Sequence, residues 1–442
     1  MSTRSEELLR YDTEHILHPL GTVGSNYGFA FESSGGIKLK DSEGKEYIDL
    51  SSQLVNVNLG HSRKDIAEAA KAQFDKMQFT TILRGFANVP SIEYAQKLAK
   101  VMPKGVDRFL YTMTGADADD CAFKVANLYH KLRGERRYKI ISLFNSYHGT
   151  LRGTGGATGL GNQMFAEVPP AGVHLHAPNY NCNRCPLHLE YPSCNIECAR
   201  YLDYLIENEG KDTVSCFIAE SEQGAGGFIS PPDEYFPMVR EICKKHGVLF
   251  IADEVMAGFG RTGKMWGIDH WNIIPDMLTM SKAQVCGYLP FATLAISGEV
   301  FEVMRGKNLP AGSSECGNPV CCAVASKVLD IMEEENILEH AAKMGQYARE
   351  RLEKEFLPLP NVDTISGLGL MISFGIVQDK EKKTPITGPQ GDEITLLGHK
   401  HGLYMRVMGG RVCFAPPLVI TKEEMDEAFD RMHTVFDNLK LS

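Results

Sequence analysis

Lys282, in the run Thr279-Met280-Ser281-Lys282-Ala283, stands 29 residues beyond Asp253, which ends the apolar run Val248-Leu249-Phe250-Ile251-Ala252. A lysine amine condenses with an aldehyde, and a carboxylate emerging from a buried strand needs a cationic or hydrogen-bonding partner. A protonated ring nitrogen is one such partner. Together the two residues suit an aldehyde-bearing heteroaromatic cofactor that draws electrons from a substrate. Spacing alone is weak evidence, because a chain with 46 Lys and Arg places many lysines at some distance from an aspartate. The neighbouring clusters carry the argument further.

Thr114-Gly115-Ala116-Asp117-Ala118-Asp119-Asp120 follows an apolar run and opens a helical pattern through Cys121, Phe123 and Val125. Small residues at a helix start let backbone N–H groups approach a phosphate, whose charge the helix dipole favours; the same residues also make a plain N-cap. In Ser146-Tyr147-His148-Gly149 the aromatic ring either stacks on a planar cofactor or caps the core. Glu220-Ser221-Glu222-Gln223-Gly224-Ala225-Gly226-Gly227 puts an acid and an amide ahead of a glycine turn, and the glycines by themselves signal only that turn. A last stretch, Asp253-Glu254-Val255-Met256-Ala257-Gly258-Phe259-Gly260-Arg261-Thr262-Gly263, continues from the run that presents Asp253.

The elements that must position these clusters are legible as near-continuous apolar runs at 108–112, 138–143, 214–220, 248–253 and 276–280. Such runs mark strands covered on both faces, so an α/β fold with a largely parallel sheet flanked by helices is expected. In that architecture ligands sit at the carboxyl ends of strands, where every cluster above falls. Residues 36–50 read as a hairpin about a Ser-Glu-Gly turn, Ile92, Ala95, Leu98 and Ala99 recur at helical spacing after Pro90, and Lys422-Glu423-Glu424-Met425-Asp426 seeds a closing helix.

A length of 442 residues with 43% hydrophobic and 23% charged residues leaves room for two or three domains. The net charge of -10 argues against a general nucleic-acid binder. No apolar run reaches the ~18–20 residues of a membrane span and the charged start is no secretory signal, so neither a nucleic-acid nor a membrane partner is expected, and the location expected is cytoplasmic. Cys216, Cys243, Cys286 and Cys413 sit in apolar segments and suit a reducing compartment. Cys182-x2-Cys185-x8-Cys194-x3-Cys198 has a spacing that could hold zinc or an iron–sulfur centre; the absence of glycine knuckles, and Pro186, Tyr191 and Pro192, favour a loop packed on the scaffold. No metal ligand set is assigned.

From about residue 15 to 435 the chain resembles the class III pyridoxal phosphate aminotransferases, the omega-aminotransferase family of fold type I. The resemblance centres on DEVMAGFGRTG, the Ser281-Lys282 pair and Gly287-Tyr288-Leu289-Pro290. It implies that Lys282 condenses with the cofactor and later moves the proton between substrate Cα and the cofactor, and that Asp253 keeps the ring nitrogen protonated. It also implies that Gly115 and Ala116 bind the phosphate and that Tyr147 stacks on the ring with Val255 against the other face, and it sets Glu220, counted with the cofactor-binding residues, where some relatives place a glutamate that pairs with an arginine during half of the cycle. Ser314 falls where the family usually has a threonine reaching the phosphate in the partner subunit, which implies a homodimer with shared active sites and leaves pairing into tetramers open. Arg406, in Met405-Arg406-Val407-Met408-Gly409-Gly410-Arg411, falls on the arginine that grips the acceptor's carboxylate; Arg411 is the poorer candidate.

The departures from the family pattern surround the substrate. Val55 stands where many relatives carry a tryptophan, Ser221 replaces a proline and Glu315 an aromatic. A smaller side chain at Val55 reshapes the substrate pocket, for a donor bulkier than beta-alanine. The nearest branch by resemblance holds the taurine–pyruvate and beta-alanine–pyruvate aminotransferases. The expected activity is ping-pong transfer from an omega- or beta-amino donor, such as taurine, beta-alanine, a longer omega-amino acid or a beta-aminoacyl thioester, to pyruvate or 2-oxoglutarate. A lyase, decarboxylase or racemase on the same scaffold is the alternative, and a catalytically silent binding relative is a second. The expected organisation is an N-terminal segment, 1–60, joining a small α+β domain at 331–442, around a large cofactor-binding domain at 61–330.

Overall fold

The computed structural model describes residues 3–160 and 172–439. Its central sheet has seven strands in the spatial order Arg108–Thr112, Ala292–Ile296, Met277–Met280, Leu249–Asp253, Val214–Glu220, Lys139–Leu143 and His174–Ala177. Every position of Val214–Glu220 and Leu249–Asp253 is buried, as the unbroken apolar runs require. Alternate residues serve opposite faces. Cys216, Ile218, Leu249 and Ile251 pack with Cys121, Ala122 and Val125 of the helix Gly115–Leu132. Phe217, Ala219, Phe250 and Ala252 pack with Tyr235, Phe236 and Val239 of the helix Tyr235–His246.

Two strands were not anticipated from the apolar runs, His174–Ala177 and Ala292–Ile296. The second runs antiparallel to both its neighbours. Only a short 3-10 turn, Lys282–Val285, lies between Met280 and Ala292, too little chain for the crossover that a parallel return needs. The chain therefore doubles back, and Lys282 is carried on that reversal at the end of Met277–Met280.

The expected hairpin is present as Lys38–Asp41 paired antiparallel with Glu46–Asp49. Phe31–Gly35 extends it on one side. On the other side Leu403–Tyr404, from the far end of the chain, pairs parallel with Glu46–Asp49. A further sheet joins Val362–Leu368, Met371–Asp379, Arg411–Phe414 and Arg406–Met408. The helix Val89–Ala99 follows the spacing after Pro90, with Asn88 as its N-cap. Lys422–Asp437 begins at a Thr421–Glu424 capping box. Among the described residues no helix is long and apolar enough to cross a membrane.

Arg261, from the glycine-rich stretch after Asp253, is fully buried. Its guanidinium donates to the carbonyls of Leu370 and Pro416 (3.1 and 2.6 Å), to Ser52 Oγ (2.9 Å) and to Asn58 Oδ1 (2.6 Å). One side chain thus ties four distant segments. Arg261→Met should cost about 3–5 kcal/mol by leaving those acceptors dry and unpaired, read as a lower denaturant midpoint. An unchanged midpoint would show that the segments hold together without it.

Candidate active site

The carboxyl ends of four central strands and the start of one helix converge on a cavity of about 630 Å³. Gly115, Ala116, Tyr147, Glu220, Asp253, Val255 and Lys282 all line it. Seven residues singled out from the sequence are thereby brought together from positions spread over more than a third of the chain. Val55, Ser314 and Arg406 are not among the lining residues.

Asp253 ends its strand almost fully buried. Its Oδ1 accepts the backbone N–H of Val255 at 3.0 Å, and its Oδ2 lies 2.6 Å from His148 Nδ1. His148 is itself buried and held by its own backbone N–H, which donates to Thr158 Oγ1 at 3.0 Å; its Nε2 has no hydrogen-bond partner among the described residues. The histidine sits beside Tyr147, already singled out, yet its role escaped sequence reading. The pairing joins residues 105 apart, and the only local signal was a histidine at a strand end.

At the other end of the cavity the helix Gly115–Leu132 starts at Thr114, whose hydroxyl accepts from Asp117 N–H in a capping box. The N-cap is real, and the first turn of the helix also lines the cavity. A Cβ on Gly115 would lie 2.8 Å from Val255 Cγ1, and one on Gly149, whose φ is +113°, would lie 2.4 Å from Ala116 Cβ. Glycine at both positions is what lets the chain close around this end.

Glu220 accepts backbone N–H groups on both oxygens, from Tyr147 at 2.9 Å and Gly224 at 2.7 Å. It therefore locks the Tyr147 backbone to its strand rather than standing free. Burial pushes its carboxyl up to about 7, against the pull of His148 and its two N–H donors. Burial likewise holds the Lys282 ammonium below its ordinary range, with Asp253 and Glu220 opposing and Arg406 adding to the effect. Lys282 also takes a left-handed backbone (φ +47°), uncommon for a residue with a side chain. A lysine so placed has a larger share of neutral, nucleophilic amine at neutral pH.

The two candidate arginines differ sharply. Arg411 is buried, with Nε on Ser373 Oγ (2.7 Å), Nη1 on Thr364 Oγ1 (2.9 Å) and Nη2 on the carbonyls of Thr364 and Ser373 (3.3 and 3.2 Å). Arg406 lies half-buried on the strand Arg406–Met408, within electrostatic reach of Lys282, and makes no hydrogen bond or ion pair among the described residues. Val55, in a left-handed backbone (φ +58°), packs beneath the cavity wall against Phe228, Ala257, Met371, Cys413 and Ala415. Ser314 is exposed on a loop. Cys182, Cys185, Cys194 and Cys198 line a separate cavity of about 20 Å³ with Leu187, Leu189 and Tyr191. All four are free thiols, and burial pushes Cys182 up to about 11 and Cys198 up to about 12.

The donor set fits a phosphorylated pyridine aldehyde: an amine for the aldehyde, a backed carboxylate for the ring nitrogen, an aromatic and a valine to flank the ring, and a glycine-walled helix start for the phosphate. Known proteins agree. The chain is 31% identical to the adenosylmethionine-8-amino-7-oxononanoate aminotransferase of Geobacter sulfurreducens over 450 residues, 98% of each chain. It is 33% identical to a leucine/methionine racemase of Thermococcus litoralis, covering 89% of this chain and 87% of that one. An (S)-enantioselective omega-transaminase of Thermomicrobium roseum superposes with a TM-score of 0.93 at 32% identity, covering the whole of both chains. The class-III aminotransferase family matches residues 22–436. With fold, cavity and kinship in accord, the chain belongs to the class-III aminotransferases, enzymes that depend on pyridoxal 5′-phosphate.

Proposed function

We propose that the chain transfers the amino group of an omega- or beta-amino donor to a small keto acid, pyruvate or 2-oxoglutarate, in two half-reactions. The observation that carries this reading is the contrast between the arginines: Arg411 is immobilised, while Arg406 makes no hydrogen bond or ion pair among the described residues and lies within electrostatic reach of Lys282. A planar guanidinium clamps a carboxylate through two parallel hydrogen bonds, and one without protein partners is free to do so and to turn aside for a different substrate.

When bound, pyridoxal phosphate supplies a ring that accepts the electron pair released at the substrate carbon. The chain's own residues do the rest. Lys282 would hold the aldehyde through its amine and, when freed by the substrate's amine, would carry the proton from the substrate carbon to the cofactor carbon that bore the aldehyde. Asp253, steadied by His148 and Val255 N–H, keeps a proton on the ring nitrogen. Backbone N–H groups at Gly115 and Ala116 hold the phosphate. Tyr147 and Val255 would flank the ring, and Glu220 fixes Tyr147 through its backbone.

The donor class we favour is taurine, beta-alanine, a longer omega-amino acid or a beta-aminoacyl thioester, with Val55 bearing on the donor through the residues it packs against rather than by lining the cavity. A homodimer with Ser314 reaching the partner's phosphate is supported by the exposure of that loop, and a cytoplasmic location by twelve unpaired cysteines. The pairing of Glu46–Asp49 with Leu403–Tyr404 supports grouping residues 1–60 with 331–442 around a large domain at 61–330.

Arg406→Ala tests the reading. Loss of a two-pronged, charge-assisted contact should raise the Michaelis constant for pyruvate or 2-oxoglutarate about 10- to 100-fold and leave cofactor binding unchanged. An unchanged constant would mean that another residue grips the carboxylate.

A further inference from the structure

Asp119 is a buried acid that the mechanism above does not use. It lies one turn into the helix Gly115–Leu132, is almost wholly buried, and lines the same cavity. Carboxylate and imidazole atoms of Asp119, His148 and Asp253 lie within 4.8 Å of one another. Two acids this close in a dry site do not both ionise, because each charge raises the cost of the other. The hydrogen bonds decide which one does. Asp253 has a histidine at 2.6 Å and a backbone N–H at 3.0 Å to stabilise its charge. Asp119 Oδ1 has no hydrogen-bond partner among the described residues, and its polar neighbour on a nearby strand is the Thr279 hydroxyl.

We infer that Asp119 is a positioning residue at the ring-nitrogen end of the cavity, a neutral carboxylic acid turned toward Asp253 that keeps the cluster's negative charge on Asp253. The inference rests on Asp253 holding the ring nitrogen, as proposed above. The charged groups around Asp119 agree with it. Burial acts first to raise its carboxyl well above the ordinary range, Asp253 and Glu220 add to the rise, and Lys282 and Thr279 oppose it. A donor beside Asp253 spreads that residue's charge and excludes water from the ring nitrogen, so the cluster holds one proton more than Asp253 and His148 would hold alone.

The test uses the holoenzyme reconstituted with pyridoxal phosphate isotopically labelled at its ring nitrogen, together with infrared difference spectra at neutral pH. Asp119→Asn, which replaces a neutral acid by a neutral amide, should remove one carboxylic-acid C=O band. It should also leave the ring-nitrogen resonance in place and cofactor affinity within about threefold. Asp119→Ala should move that resonance and weaken cofactor binding at least about tenfold. No lost band in Asp119→Asn would show that Asp119 is ionised, and an unmoved resonance with normal affinity in Asp119→Ala would show that it positions nothing; either overturns the inference. A resonance that Asp253→Asn leaves unmoved would overturn the assignment of Asp253 itself. The infrared band reports on Asp119 independently of that assignment.

Discussion

Lys282→Ala will still bind pyridoxal phosphate but will lose turnover by at least about 10⁴-fold. The variant keeps the helix start at Gly115, the Asp253–His148 pair and the flanking side chains, which on the proposed function would hold the cofactor without Lys282. What it loses is both the amine that condenses with the aldehyde and the base at the substrate carbon. The checks are steady-state turnover and borohydride treatment, which should fix the cofactor to the wild-type chain and not to the variant. Turnover within tenfold of wild type would remove Lys282 from the chemistry.

Asp253→Asn is expected to lower turnover about 10²- to 10³-fold, the scale on which removal of one preorganised electrostatic contact acts in a water-excluded site. The change keeps the shape and the Val255 N–H contact but removes the charge that holds a proton on the ring nitrogen. His148 is then left beside a neutral amide, so its imidazole loses the partner 2.6 Å away. Asp253→Glu should recover part of the loss if charge matters more than reach. Turnover within tenfold for the asparagine variant would mean that the ring nitrogen needs no anionic partner here.

Both results would trace back to residues visible in the sequence, and the reason is physical. Asp253 and Lys282 sit at the ends of short, near-continuous apolar runs, which read as strands covered on both faces and are fully buried in the structure. Gly115 stands out as part of a small-residue helix start, a pattern that a plain N-cap shares. His148 was in view but unassigned, since its meaning depends on a carboxylate 105 residues away, and no local pattern encodes that approach. Asp119 was hidden for a related reason: on the sequence it is one of three acids at a helix start, and only the fold shows that Asp119 faces the cavity. The reversed strand Ala292–Ile296 is no shorter than strands read from the sequence, and its direction is set by how little chain precedes it. Val55 falls at the substrate by resemblance, while in the structure it is not among the residues lining the cavity and packs with Phe228, Ala257 and Met371.

The relatives include both aminotransferases and a racemase, so the measurement that bears most directly on the account is a half-reaction without a second substrate. Holoenzyme is mixed with single amines (taurine, beta-alanine, longer omega-amino acids, a beta-aminoacyl thioester) and the cofactor's absorption is followed. The account predicts that at least one donor converts the aldehyde form to the amine form stoichiometrically, and that pyruvate or 2-oxoglutarate restores it. Amines that are racemised, or that release ammonia or carbon dioxide while the cofactor returns to its aldehyde form with no keto acid added, would contradict it.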